Sequence, residues 1–152
     1  MEDLSLHILD IAENSIAAAA KTIEIIIDED RDKDLLTIEI KDDGKGMDKE
    51  SLKKAADPFY TTRKTRRVGL GLSFLSQAAE ESGGKMELKS IPNEGTITKA
   101  TFRLSHPDCK PMGDINETIR TLIVSHPEIN FVYEHHKDNS IYRFDTRETG
   151  EK

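Results

Sequence analysis

The sequence predicts an α+β protein built as a two-layer α/β sandwich. A mixed, mostly antiparallel sheet carries helices on one face, and a small C-terminal helix–hairpin extension follows. Three observations point there. Two long stretches repeat apolar residues at helical spacing, several β-branched stretches alternate apolar and polar residues, and short polar turns join those stretches into hairpins.

Residues 3–20 read as a helix: Leu4, Ile8, Ile11, Ala12, Ile16 and Ala19 make a broad apolar face. At about 100° per residue, Asp3, His7, Asp10, Asn14 and Lys21 gather on the opposite, polar side. "TIEIIID" (22–28) and "LLTIEIKD" (35–42) read as strands joined by the charged loop "DEDRDKD". In the second strand Leu36, Ile38 and Ile40 point inward while Thr37, Glu39 and Lys41 point outward. A short helix is expected from about residue 49, with Asp48 as its N-cap and an end before Pro58. The basic segment "YTTRKTRRVG" reads as an irregular loop, and "LGLSFLSQAAEES" as a second long helix closed by Gly83 and Gly84. "KMELKSI" and "TITKATFRL" flank the turn "PNEG". Composition shifts at the linker "SHPDCKPMGD", and the helix "INETIRTLIVS", capped by Asp114, precedes a hairpin of "INFVYEH" and "IYRFDT". Two units are therefore expected, 1–105 and 106–152. The second has too small a core to stand alone, so it should pack on the first or on a second copy in a homodimer.

The 152 residues suffice for one domain with a substantial core. Lysine plus arginine total 22 against 29 acidic residues, a net charge of −7, which argues against a general nucleic-acid binder. No apolar run is long enough for a membrane span, and the acidic N-terminus is unlike a signal peptide. With Cys109 as the single cysteine, no internal disulfide can form. A cytoplasmic location is expected.

Chemistry concentrates in three places. In "DDGKGM", Asp42 shares parity with Ile38 and Ile40, so its carboxylate ends a buried row and needs a hydrogen-bond donor; Asp43 faces solvent. Gly44 and Gly46 leave clearance for a flat ligand, and Met47 closes the stretch. In "RRVGLGLSF", Gly69, Leu70, Gly71 and Leu72 sit at a helix start, where free N–H groups can cradle phosphate, with Lys64 and several arginines in the loop before them. Neither a Walker loop nor a dinucleotide fingerprint is present. On the first helix, Asp10 and Asn14 lie one turn apart: an amide oxygen can ligate Mg²⁺, and a carboxylate can orient or deprotonate water. Each feature alone also fits a turn, a helix start or a solvated helix face.

Together they resemble the GHKL ATPase superfamily, which includes DNA gyrase, the ninety-kilodalton heat-shock chaperone, sensor histidine kinases and a mismatch-repair ATPase. "LDIAENSIAAA" resembles its N box, "DDGKGM" its G1 box, "DPFYTT" the F box of histidine kinases, "GLGLS" its G2 box and "NEGTI" its final Gly-Thr. The resemblance covers about residues 1–104 and implies the Bergerat fold, ATP and Mg²⁺ as cofactors, and roles for particular residues. Asn14 would ligate Mg²⁺, and Asp42 would accept a hydrogen bond from the adenine amino group. Thr96 would reach toward the adenine pocket. Segment 57–70 would be an ATP lid, anchored by Phe59 and Tyr60, with Lys64 or a neighbouring arginine on the γ-phosphate.

Departures from the family shape the functional expectation. Asp10 stands where hydrolysing members carry glutamate as general base, and Ala17 replaces a basic residue common in histidine kinases. A sensor kinase places a helical hairpin with the phospho-accepting histidine ahead of this domain, whereas the motifs here begin at residue 3. The resemblance thus implies a stand-alone, histidine-kinase-like domain that phosphorylates or regulates a partner protein in trans. The alternative is an ATP-gated binding switch with little or no turnover. His7 reads as a helix-face residue paired with Asp3 or Asp10. The calcium-loop-like spacing of Asp28, Asp30, Asp32 and Glu39 reads as a solvated acidic loop, because Lys33 occupies the position where the turn needs glycine. His106, His126, His135 and His136 lack a recognised ligand spacing and read as surface residues.

Overall fold

The structure, a computed structural model, describes residues 3–48, 50 and 67–147. Helix α1 (Leu4–Ala17) is followed by β1 (Thr22–Asp30) and β2 (Leu35–Asp42). Helix α2 (Arg67–Glu81), β3 (Lys85–Ile91) and β4 (Gly95–Arg103) come next. Helix α3 (Ile115–Ser125), β5 (Asn130–Lys137) and β6 (Ser140–Asp145) complete the chain. The six strands form one sheet in the order β3-β4-β2-β1-β5-β6. Three hairpins in chain order build it. β2 pairs antiparallel with β4, and β1 pairs parallel with β5, the one parallel pairing among the described residues. This is the predicted α+β sandwich.

The alternation in the strands sets which face is covered. Ile23, Ile25 and Ile27 of β1 stand opposite Asp42, Ile40 and Ile38 of β2, and opposite Phe131, Tyr133 and His135 of β5. The isoleucines, Phe131 and Tyr133 are buried, and Ala100 and Phe102 of β4 continue the same row. Onto this face α1 lays Leu4, Ile8, Ile11 and Ala12, and α2 lays Leu75, Ala78 and Ala79. Helix α1 lies between α2 and α3. Burying one such isoleucine or leucine contributes about 1.5–3 kcal/mol.

Being flanked on both sides, α1 is covered over more of its circumference than its apolar stripe suggests. This corrects the reading of His7, which does not lie on the solvent face: it is 2 % exposed, and beside it lie Phe74, Gln77 and Ala78 of α2. Asp3 is the N-cap, its carboxylate accepting from the Leu6 amide at 3.3 Å. The helix also ends earlier than its alanine run suggests. Ala19 adopts φ 67°, its amide donates to the Ile16 carbonyl (2.9 Å), and the Ala20 amide donates to that of Ser15 (3.1 Å). That is a Schellman ending with alanine where glycine is usual. Helix α2 ends the same way on Gly83 and Gly84, as expected, but starts at Arg67, three residues earlier than the sequence suggests. The short helix expected from residue 49 and most of the lid lie outside the described residues.

Candidate functional site

The C-terminal end of β2 meets the C-terminal half of α1 and the turn between β3 and β4. Asp42 is opposite Thr96, and Thr96 is opposite Ser90, so the three side chains form one row across the sheet on its helical side. From α1, the Ser15 hydroxyl donates to Asp42 Oδ2 at 2.6 Å. The Gly44 amide donates to Asp42 Oδ1 at 2.8 Å. The carboxylate is therefore not left waiting for donors, as parity alone suggests: the chain supplies two. An ionised carboxylate has about four acceptor positions, so roughly two remain.

Thr96 is tied as firmly. Its hydroxyl lies 2.7 Å from Ser90 Oγ, which accepts the Met47 amide at 2.8 Å and lies 3.1 Å from the Gly95 carbonyl. With the Ser90 proton given to Gly95, the Thr96 proton goes to Ser90, and the lone pairs of Thr96 remain for an outside donor. The 44–47 segment is pinned at two further points: Lys45 N–H donates to the Ala18 carbonyl (2.9 Å) and the Asn93 N–H to the Lys45 carbonyl (2.6 Å).

The glycines answer first to this packing. A Cβ on Gly44 would stand 2.8 Å from the Ala18 carbonyl oxygen. Gly46 has φ +71°, and a Cβ there would collide with the Ile91 carbonyl oxygen. The clearance inferred from sequence is thus consumed by the chain's own backbone at these two points.

The neighbouring aspartate does a different job. Asp43 Oδ1 accepts from the Lys21 and Thr22 amides at 2.8 and 3.0 Å, fastening the entry of β1 to the exit of β2. Partial burial pushes its carboxyl up, but the Thr22, Lys21 and Asp43 amides outweigh that and hold it below the ordinary carboxylate range.

On α1, Asp10 is exposed and Asn14, one turn on, is half-buried. Asn14 Nδ2 is buried with no hydrogen-bond partner among the described residues. Gly69, Leu70, Gly71 and Leu72 fall within the first two turns of α2, which runs beside α1. Lys64 lies outside the described residues. The structure thus joins Asp42 to Gly44 and Ser15 in one hydrogen-bonded group and Thr96 to Met47 through Ser90 in a second, sets the two side by side through the Asp42–Thr96 register, and places Asn14 next in sequence to Ser15. Ser15 and Ser90 were missed. Both carry a signal: Ser15 interrupts the apolar stripe three residues after Ala12 and four after Ile11, and Ser90 shares inward parity with Met86 and Leu88. A hydroxyl placed on a buried face beside an inward carboxylate or hydroxyl is a hydrogen-bond partner.

Three of the remaining histidines lie beside carboxylates, and His106 Nδ1 accepts the Asp108 amide at 3.0 Å. His126 lies near Glu13 and Glu128, His135 binds Glu29, and His136 binds Glu134. Among the described residues, no three His, Cys, Asp or Glu side chains converge as a metal site. The acidic loop folds as the β1–β2 turn, tied across the sheet by Arg31 to Asp138 (2.7 Å). No helix among the described residues is long and apolar enough to cross a membrane.

An inward carboxylate and hydroxyl thus stand at one sheet end, under the C-terminal half of a helix carrying an amide short of a partner. Comparison with known proteins fixes the family. The model of the family described as histidine kinase-, DNA gyrase B- and HSP90-like ATPase matches residues 2–107, and the chain belongs to that family. Sporulation kinase E of Bacillus subtilis is 40% identical over 71 residues, 47% of this chain and 10% of that protein. The sensor histidine kinase WalK of the same organism is 34% identical over 87 residues, 54% of this chain and 14% of the relative. The chain thus spans a small part of the length of these relatives. Among solved structures, the Aquifex aeolicus MutL ATPase domain complexed with ADP is similar with a TM-score of 0.56 at 16% identity, covering 93% of this chain and 63% of that one, a likeness of fold. Membership in this family supports ATP binding.

Proposed function

We propose that the chain binds Mg-ATP between α1 and the ends of β2 and β4, and uses it to phosphorylate or regulate a partner protein in trans, as a histidine-kinase-like module. The observation that carries this reading is Asp42. Its carboxylate points into the helical layer, is fixed by Ser15 and Gly44, and keeps acceptor positions free for an exocyclic amine.

The residues suit the nucleotide. The Asn14 amide, short of a partner, can turn its oxygen to a hard cation, and Mg²⁺ needs few protein ligands when phosphates supply the rest. Bound Mg-ATP would supply a γ-phosphoryl group with its charge partly neutralised. Asp42 would read the base, Thr96 would add a second polar contact beside it, and Ser15 would hold the Asp42 carboxylate in one orientation. The N–H groups at the start of α2 (Gly69, Leu70, Gly71, Leu72) would face the phosphates, with Lys64 contributed by the preceding loop. Asp10, exposed one turn before Asn14, would orient or deprotonate the attacking group.

Asp10 also supports the second reading, an ATP-gated switch. It is a methylene shorter than the glutamate that serves as base in hydrolysing relatives, which favours binding with little turnover. Incubation with γ-labelled ATP and candidate partner proteins separates the two. Label on a partner, acid-labile for histidine or acid-stable for serine, supports transfer. ATP-dependent partner binding without label supports the switch, and ATP-independent behaviour throughout overturns both.

A further inference from the structure

A second concave surface lies at the far edge of the sheet. Helix α3 and the β5–β6 hairpin enclose an open groove of about 670 Å³. Its floor is aromatic. Tyr133 and His135 of β5 stand opposite Phe144 and Tyr142 of β6, and the Tyr133 and Tyr142 rings meet edge-on with centroids 5.8 Å apart. Burial pushes the Tyr133 hydroxyl up to about 12, so it keeps its proton; it lies 2.9 Å from His135 Nδ1, whose other ring nitrogen is 2.6 Å from Glu29. The wall is the α3 face carrying Ile119, Ile123 and Val124. Val124, Ile141 and Tyr142 are 71%, 69% and 55% exposed and line the same groove, so the apolar exposure is gathered here into one rim.

Two features say what fits it. The first is charge. The chain carries −7 overall, yet the groove lining contains Arg120 and Lys137 and no carboxylate. Both cations are exposed and neither has an ion-pair partner among the described residues. Of the acids beside Lys137, Glu29 across the strand pair is engaged by His135, and Asp138, next in the chain, by Arg31. The second is backbone. β6 ends the strand order, so along the groove it offers a row of N–H and C=O groups to an incoming strand. A second copy docking through this edge would set Arg120 and Lys137 against their own kind, whereas an acidic segment would neutralise them.

We infer that this groove is a docking site for an extended segment of a partner protein that alternates apolar and acidic residues. The segment adds to β6 as a further strand. Its apolar side chains enter between α3 and the aromatic floor, and its carboxylates meet Arg120 and Lys137.

The test uses the full chain, ¹⁵N-labelled, and three acetylated peptides: alternating valine and glutamate, alternating valine and lysine, and the acidic peptide with a central proline. The acidic peptide should shift the amides of 116–124 and 140–145, the proline peptide should bind more weakly, and the lysine peptide should leave them unmoved. The charge-reversed variant Arg120→Glu/Lys137→Glu, changed only at exposed positions, should bind the acidic peptide about tenfold more weakly and gain the lysine peptide. Equal binding of both charges, or no shift in the groove with any peptide, overturns the proposal. So does a homodimer in sedimentation that Ile141→Lys dissolves, since a second copy would then be the occupant.

Discussion

Replacing Asp42 by asparagine tests the base-reading role with almost no change of shape. In the folded chain one carboxylate oxygen accepts from the Gly44 amide at 2.8 Å and the other from Ser15 Oγ at 2.6 Å. An asparagine can keep its oxygen toward Gly44 and present its NH₂ to Ser15 Oγ, which also accepts. The fold therefore survives, at a cost of about 1 kcal/mol for exchanging a charged acceptor for neutral groups. The adenine amino group fares worse, because the group facing it has lost its charge and one acceptor has become a donor. An unmade hydrogen bond at a desolvated site costs about 1–3 kcal/mol, roughly five- to 150-fold in Kd. Isothermal titration of Mg-ATP into Asp42→Asn, Asp43→Asn and the parent chain reads this directly. Inosine triphosphate, with a carbonyl in place of the amino group, is the control ligand. The parent should prefer ATP, Asp42→Asn should lose that preference, and Asp43→Asn should keep it, because Asp43 is spent on the Lys21 and Thr22 amides. Equal loss of ATP binding in both variants, or a parent that binds the two nucleotides alike, refutes the reasoning.

Further outcomes are expected elsewhere. Ser15→Ala removes the donor from Asp42 and should lower unfolding free energy by about 1–3 kcal/mol in urea melts, while weakening ATP about tenfold. Asn14→Asp should leave the melting curve nearly unchanged but alter the Mg²⁺ dependence of ATP binding; an identical Mg²⁺ titration contradicts the ligand role. Ala19→Gly relieves a left-handed alanine at φ 67° and should stabilise by up to about 1 kcal/mol, read as a higher urea midpoint. The Arg147 side chain, hydrogen-bonded to Asp145 with its own amide assisting, holds that buried carboxyl down to about 2 against the opposing effect of burial. Because the folded value lies below the unfolded one, this contribution is present above about pH 4 and lost as pH falls toward 2; Asp145→Asn should flatten that part of the stability profile.

Much of the fold was legible because the strands alternate cleanly. The bounds of β2, β3 and α3, the Asp114 cap on Glu117 and the hairpin pairing all follow from period, turn residues and capping chemistry. The inward direction of Asp42 came from the same parity. Three features did not show. The end of α1 is hidden in a run of four alanines, because a left-handed alanine has no composition signal and is held by tertiary bonds such as that from Lys45 to Ala18. The burial of His7 depends on α2 lying against that side of α1, which a helical wheel does not contain. The partners of Asp42 and Thr96 are long-range: Ser15 is 27 residues from Asp42, and Ser90 becomes a partner only through the register of β3 on β4. Gly44 and Gly46 read in the sequence as clearance for a ligand, whereas the space beside them is taken by the Ala18 and Ile91 carbonyls.

The central claim, that this chain holds a nucleotide against Asp42, is tested most directly by a backbone-amide NMR titration with Mg²⁺ and a non-hydrolysable ATP analogue. The largest changes should fall on Ser15, Gly44, Met47 and Thr96, with 116–124 and 140–145 unmoved. Saturating nucleotide that leaves those four amides in place, or that shifts the α3–β6 groove instead, would contradict it.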